Sequence, residues 1–202
     1  MGLTYDHHKF EVNRKGMDTY MKYLKDRKIA IKITTVLIVF SILLGANLSL
    51  SKMREEAMLI FYQGERMDGK GIQSDLEYIM DQCYNLTVVA GRYMDKDDER
   101  IENVLEHIEQ VEKAETPGNK FETKEQLLQA SMKLYEELNF MKLGERDQYY
   151  RDSFAVDVES RQLIISHSSY NENAFIFNKC LKRFPANVLS IITFVKPLEL
   201  YE

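Results

Sequence analysis

Tryptophan is absent from this 202-residue chain; proline occurs three times, cysteine twice and glycine nine times. So little Gly and Pro excludes a turn-rich β fold and suits long helices. Two cysteines, Cys83 and Cys180, exclude a disulfide framework. Cys83 falls on an apolar helical face and reads as a buried free thiol. If the domain is extracytoplasmic the two could pair, provided their Cα atoms lie within about 7 Å. Positive charge is in deficit, at a net −5. The basic residues cluster near the N-terminus, which leaves the remainder more acidic and excludes a nucleic-acid-binding face. No P-loop, GxSxG, HExxH, CxxC or dinucleotide fingerprint is present, so the chain reads as non-enzymatic and needs no cofactor. Glu136-Glu137, Asp97-Asp98, and His107 with Glu106 and Glu109 beside it, read as charged helix surface. His7-His8 has no third ligand at a recognisable spacing and makes no metal site.

Long uncharged runs are also scarce. The one able to cross a membrane is Ile33–Leu50, ITTVLIVFSILLGANLSL. Its eighteen residues span roughly 27 Å as a helix, against the roughly 30 Å of a hydrocarbon core. Ile29 to Ile31 lengthen it, with Lys32 able to snorkel to the headgroups. A cleaved signal would carry only about 7–15 apolar residues near the N-terminus. Here 28 residues come first, and Gly45-Ala46-Asn47 is a poor cleavage site. A buried core helix rarely runs this long without a charge. The expected organisation is a basic polar tail (1–28), a single transmembrane helix (29–50) and one helical domain (51–202). The lipid bilayer is thus the first expected partner. Met1-Gly2 lacks the Ser or Thr that myristoylation wants, Asp6 standing in its place.

Seven Lys or Arg residues lie within 13–32, and four in the twenty residues after the span. The positive-inside rule then favours a cytoplasmic N-terminus and an extracytoplasmic domain. The tail's basic end could also touch anionic headgroups, at about 1 kcal/mol per residue near the surface.

Beyond the span the sequence breaks at Gly and Pro into helical units. Residues 51–63 continue the membrane helix with Ala57, Leu59, Ile60 and Phe61, until Gly64, Gly69 and Gly71. Ile72, Leu76, Ile79, Cys83, Leu86, Ala90 and Tyr93 form a stripe of helical period. The acidic start at Asp95 to Glu99 precedes Ile101, Val104, Leu105, Ile108 and Val111. Thr116 to Asn119 reads as a loop, and Thr123 to Gln126 as a capping box opening the next helix. That helix carries Leu127, Leu128, Leu134, Leu138 and Met141. The last unit, about 145–184 and ended by Pro185, is expected to be the domain's longest helix and its spine. The fold class is therefore all-α, an N-terminal single transmembrane helix followed by an antiparallel long-helix bundle. Asn85-Leu86-Thr87 matches a glycosylation sequon, but on an apolar helical face it reads as coincidence.

Tyr170-Asn171 and Phe177-Asn178 repeat at seven residues, two helical turns. Both aromatics fall on nearly one stripe, with both asparagines on the adjacent line. Inward-facing Asn side chains could bond a neighbouring helix and fix its register; the alternative is a polar groove for a partner or ligand. Phe184-Pro185, Asn187, Phe194, Pro197 and Tyr201-Glu202 follow. This succession resembles the LemA family, whose ending carries two Tyr-Asn pairs seven apart, Phe-Pro, and an aromatic-Glu pair. Asn85-Leu86 with Tyr93 sits where that family has its Asn-Leu and Tyr on the first long helix. Departures fall at Gln82-Cys83-Tyr84, His167, Phe177 and Thr193.

The resemblance implies a membrane helix, a helical-bundle domain and no known reaction. It marks Asn85, Leu86, Tyr93, Tyr170, Asn171, Phe177, Asn178, Phe184 and Pro185 as structural or partner-binding residues. It also implies a short external N-terminus, opposite to the charge rule. The functional expectation is an envelope scaffold or protein-interaction module that engages a protein partner or itself. The alternative is an extracytoplasmic sensor or small-ligand-binding module, which would want an output domain beyond a short tail.

Overall fold

A computed structural model describes residues 26–95 and 97–202. Most of the basic tail, with His7-His8 and Met1-Gly2, lies outside the described residues. Within them the chain is all-helical, with seven helices and no strand. These are α1 (Arg27–Gln63), α2 (Ile72–Ala90), α3 (Glu99–Lys113), α4 (Pro117–Asn139), α5 (Glu145–Ser166), α6 (Tyr170–Leu181) and α7 (Ala186–Thr193).

α1 starts at Asp26, whose carboxylate accepts from Lys28 N–H at 2.9 Å. It runs 37 residues without a break at Leu50, about 55 Å. It is long and apolar enough to cross a membrane. Val36, Leu37, Ile38 and Val39, four successive residues that together face all sides of a helix, are every one exposed. A soluble core helix of this composition would be covered. Within the apolar stretch the Thr35 and Ser41 hydroxyls donate to the carbonyls of Ile31 and Leu37, one turn back. From the end of that stretch onward a single stripe, Leu50, Ala57 and Phe61, is buried.

The chain reverses after α1 through Gly64 to Gly71. Gly64 takes φ +74°, and a Cβ on Gly71 would stand 2.4 Å from Phe61 O, so the two ends of the turn touch backbone to backbone. α2 then buries Ile72, Leu76, Ile79, Cys83, Leu86 and Ala90, the stripe read from periodicity. It packs against α1, α3, α4 and α5 and is the central helix. That corrects the expectation that the last unit is the spine. Arg161 bonds Asp75 at 3.0 Å with its guanidinium 4.1 Å from the Tyr78 ring, which ties late α5 to early α2.

Two further expectations need correction. Thr116–Asn119 is not a loop but the first turn of α4: Thr116 Oγ1 accepts from Asn119 N–H at 3.4 Å and Pro117 occupies the first turn. Proline's fixed φ and missing N–H suit that place, so the Thr-Pro start displaces the capping box expected at Thr123. Thr123 lies inside the helix and donates to Asn119 O instead. The last unit is also not one helix. It stops at Ser166 and restarts at Tyr170, where Ser168 Oγ accepts Tyr170 N–H at 3.3 Å. Serines that bond the local backbone favour such breaks. The split sends α5 onto α2 and α6 onto α1.

Candidate functional site

α6 brings four of the motif residues together. Tyr170 and Phe177 point inward and are buried, the Tyr170 ring packing edge-on to Phe61 of α1 at 5.2 Å. Asn171 and Asn178, one residue on, meet not a neighbouring helix but the extended segment 195–202. Asn178 Nδ2 donates to Leu198 O and its Oδ1 accepts from Leu198 N–H, both at 2.8 Å. Asn171 does the same with Tyr201, at 3.0 and 2.8 Å. Each side-chain amide therefore pairs with a main chain as a β-strand neighbour would, in a segment with no strand partner.

The pitch explains why the residues lie seven apart on one side and three on the other. Seven helical residues rise about 10.5 Å, and three extended residues advance about 10 Å. The segment must run against α6 for Asn171 to meet Tyr201 and Asn178 to meet Leu198. Tyr170 Oη adds a third rung, donating to Glu199 O at 2.6 Å. We call this segment the strap.

The strap also covers α1 and α4. Leu198 and Tyr201 are buried, and the Tyr201 ring centroid lies 5.3 Å from Phe121 and 5.8 Å from Phe61. The Lys124 ammonium sits 4.6 Å over Phe121 and 5.5 Å over Tyr201, paired with Glu125. Burial raises both phenols: Tyr170 to about 12, with Glu199 adding to the rise against Arg54, and Tyr201 further. A cavity of about 330 Å³ lies beneath the strap, its walls including Phe121, Lys124, Gln162, Asn171 and Tyr201.

The other motif residues fall elsewhere. Leu86 is core on α2. Asn85 is exposed on α2, not on its apolar face, while the Thr87 hydroxyl is committed to Tyr84 O at 2.7 Å. Tyr93 lies beyond the end of α2 and bridges to α5. Its hydroxyl donates to Asp147 Oδ2 at 2.7 Å and accepts from Gly144 N–H at 2.9 Å. Arg92 pairs with the same buried Asp147. Phe184 and Pro185 are exposed between α6 and α7, joined by a cis peptide.

Cys83 and Cys180 are both free thiols. Burial raises the Cys83 thiol to about 12, which keeps it protonated and unreactive. Among the described residues no group of three His, Cys, Asp or Glu side chains is placed to hold a metal ion. Sequence reasoning passed over Leu198, Phe121, Lys124, Arg92 and Asp147. For Leu198 a signal existed: a helix spacing of seven matched by an extended spacing of three. For Asp147, an acid in the first turn of its helix, no local pattern distinguished it from other acids. Comparison with known proteins finds no matching family model, no similar curated protein and no similar solved structure.

Proposed function

We propose that this chain is a membrane-anchored scaffold of LemA type, in which α1 spans the bilayer and presents an antiparallel bundle to a protein partner or a second copy. The observation that carries this reading is α1 itself: one unbroken helix, bare on all sides over the first half of its apolar stretch and buried along one stripe from Leu50 on. A helix of this form transmits the body's position rigidly to the membrane. The charge asymmetry around it supports a cytoplasmic N-terminus and an extracytoplasmic body. The strap ladder supports the LemA resemblance, since the motif's aromatics and asparagines act together at one place.

Absence of enzymatic activity belongs to the proposal. Both amide atoms of Asn171 and of Asn178 are engaged by the strap, and Cys83 is held protonated in the core. The alternative, a ligand-binding module, draws on the cavity under Tyr201. Its Asn171 wall already gives a donor and an acceptor to Tyr201 of the strap, and this structural duty favours the scaffold.

For anchoring, alkaline carbonate extraction of membranes holding the full chain should leave it in the pellet. Val36→Arg with Phe40→Arg should release it, since each arginine at a span centre costs about 2.5–3.5 kcal/mol on insertion scales. Extraction of the unaltered chain would overturn the anchor. For the partner, a photo-reactive residue at Tyr84, which with Val88 forms an exposed apolar turn of α2, should give a protein adduct in membranes. No adduct from Tyr84, Phe140 or Val156 would count against a scaffold.

A further inference from the structure

Phe184 to Val195 contains no charged residue, and it is bracketed by Lys182-Arg183 before and Lys196 after, all exposed. Folded, it leaves its largest apolar side chains in the open. Phe184, Ile191 and Phe194 are 83%, 77% and 86% exposed, with Val188 and Ile192 about half so. Such a patch is unusual on a surface that only water touches. Its position says what covers it. α7 packs on α1, where Leu43, Ala46 and Asn47 are half-buried and Leu50 is buried, at the end of the apolar stretch. Thr193 and Phe194 line one groove with Asn47 and Ser51 of α1.

We propose that α7 and its flanking phenylalanines form a second membrane contact, lying in the bilayer interface beside the point where α1 leaves it. The inference rests on the reading of α1 as a membrane span, and commits to lipid as the occupant because the patch is continuous with that span. A soluble partner would have to occupy the level of the acyl chains to cover it. The chemistry suits lipid. Ser190 Oγ and Thr193 Oγ1 donate to Asn187 O and Leu189 O, so the hydroxyls are satisfied within the helix. Lys182, Arg183 and Lys196 can reach phosphates while the apolar side chains enter the acyl boundary.

Phe194 adds an independent observation. It ends α7 in the left-handed conformation at φ +58°, where glycine or asparagine is usual. That turn closes the helix, with Val195 N–H donating to Ser190 O at 3.0 Å, and it leaves an aromatic ring standing clear of the protein, where lipid would cover it.

The absence of tryptophan makes the test direct. The full chain carrying Ile191→Trp, or Phe194→Trp in a second variant, is reconstituted in phosphatidylcholine–phosphatidylglycerol vesicles with brominated acyl chains. Val36→Trp reports on the span. Leu163→Trp, exposed beside the turn after α1 and about 20 Å along that helix from Leu50, reports on the body. Val36→Trp and both α7 variants should be quenched, the latter several-fold more than Leu163→Trp and with blue-shifted emission. Quenching of Val36→Trp with both α7 positions no better quenched than Leu163→Trp would overturn this inference and leave the anchor standing. An unquenched Val36→Trp would overturn the anchor, and the inference with it.

Discussion

Asn178 and Leu198 exchange both halves of an amide pairing, and Asn171 and Tyr201 repeat it. Removing either side chain leaves a strap N–H and C=O without their partners. Asn178→Ala should therefore cost about 1–3 kcal/mol in denaturant unfolding. Asn178→Asp should cost more near neutral pH, because a carboxylate then faces Leu198 O. It should recover partly as acid protonates it and restores a donor. Equal cost for Ala and Asp at all pH values would mean that the pairing is not as described. The buried phenols give a second handle. Tyr170 moves from 10.0 to about 12 and Cys83 from 9.0 to about 12, both chiefly through burial. The folded state holds these protons more tightly than the unfolded chain. Their contribution is thus complete below pH 9 and is lost as pH rises towards 12. Tyr201 Oη is buried with no protein partner. Tyr201→Phe should accordingly cost little at pH 7 and make the alkaline fall in melting temperature shallower.

At the scale of the element, helix ends decide what could be read in advance. The α2 stripe was legible from Ile72 to Ala90, because a 3.6-residue period survives any tertiary context that buries one face; Tyr93, read as its last member, lies past the helix end. The start of α4 was not legible, because Pro117-Gly118-Asn119 has the composition of a turn, which hid the Thr-Pro helix start. In the structure Thr116 caps, and Thr123 bonds back to Asn119 O. Thr116→Ala should cost about 1 kcal/mol, whereas Thr123→Ala should be neutral or slightly stabilising, since Ala is the better interior helix former. Thermal melts of the two variants separate the possibilities. The turn after α1 is similarly specific. A Cβ at Gly71 would press on the backbone of Phe61 and Tyr62. Gly71→Ala should destabilise by more than about 1 kcal/mol, with Gly69→Ala, which meets nothing within 4 Å, less costly despite its own positive φ. The break at Ser166 escaped notice because neither Gly nor Pro marks it.

At the scale of the molecule, periodicity says which face of each helix is buried but not which helix buries it. Thus the all-helical class and the apolar α1 were legible, while the pairing of α5 with α2 and of α6 with α1 was not. The strap was half legible: its asparagines stood out, but their partners are main-chain atoms that carry no sequence signal. Together these features describe a body whose last segment is pinned across α1, α4 and α6, set on a helix that runs on into an uncovered apolar stretch. On the proposed reading a bilayer covers that stretch, and the flanking charges favour a cytoplasmic N-terminus.

Protease treatment of intact and lysed cells making the full chain, tagged after Glu202, tests this placement most directly. Digestion of the tag in intact cells is the expected result, with the body outside and the basic tail within. Protection of the tag until lysis would contradict it and place the body in the cytoplasm.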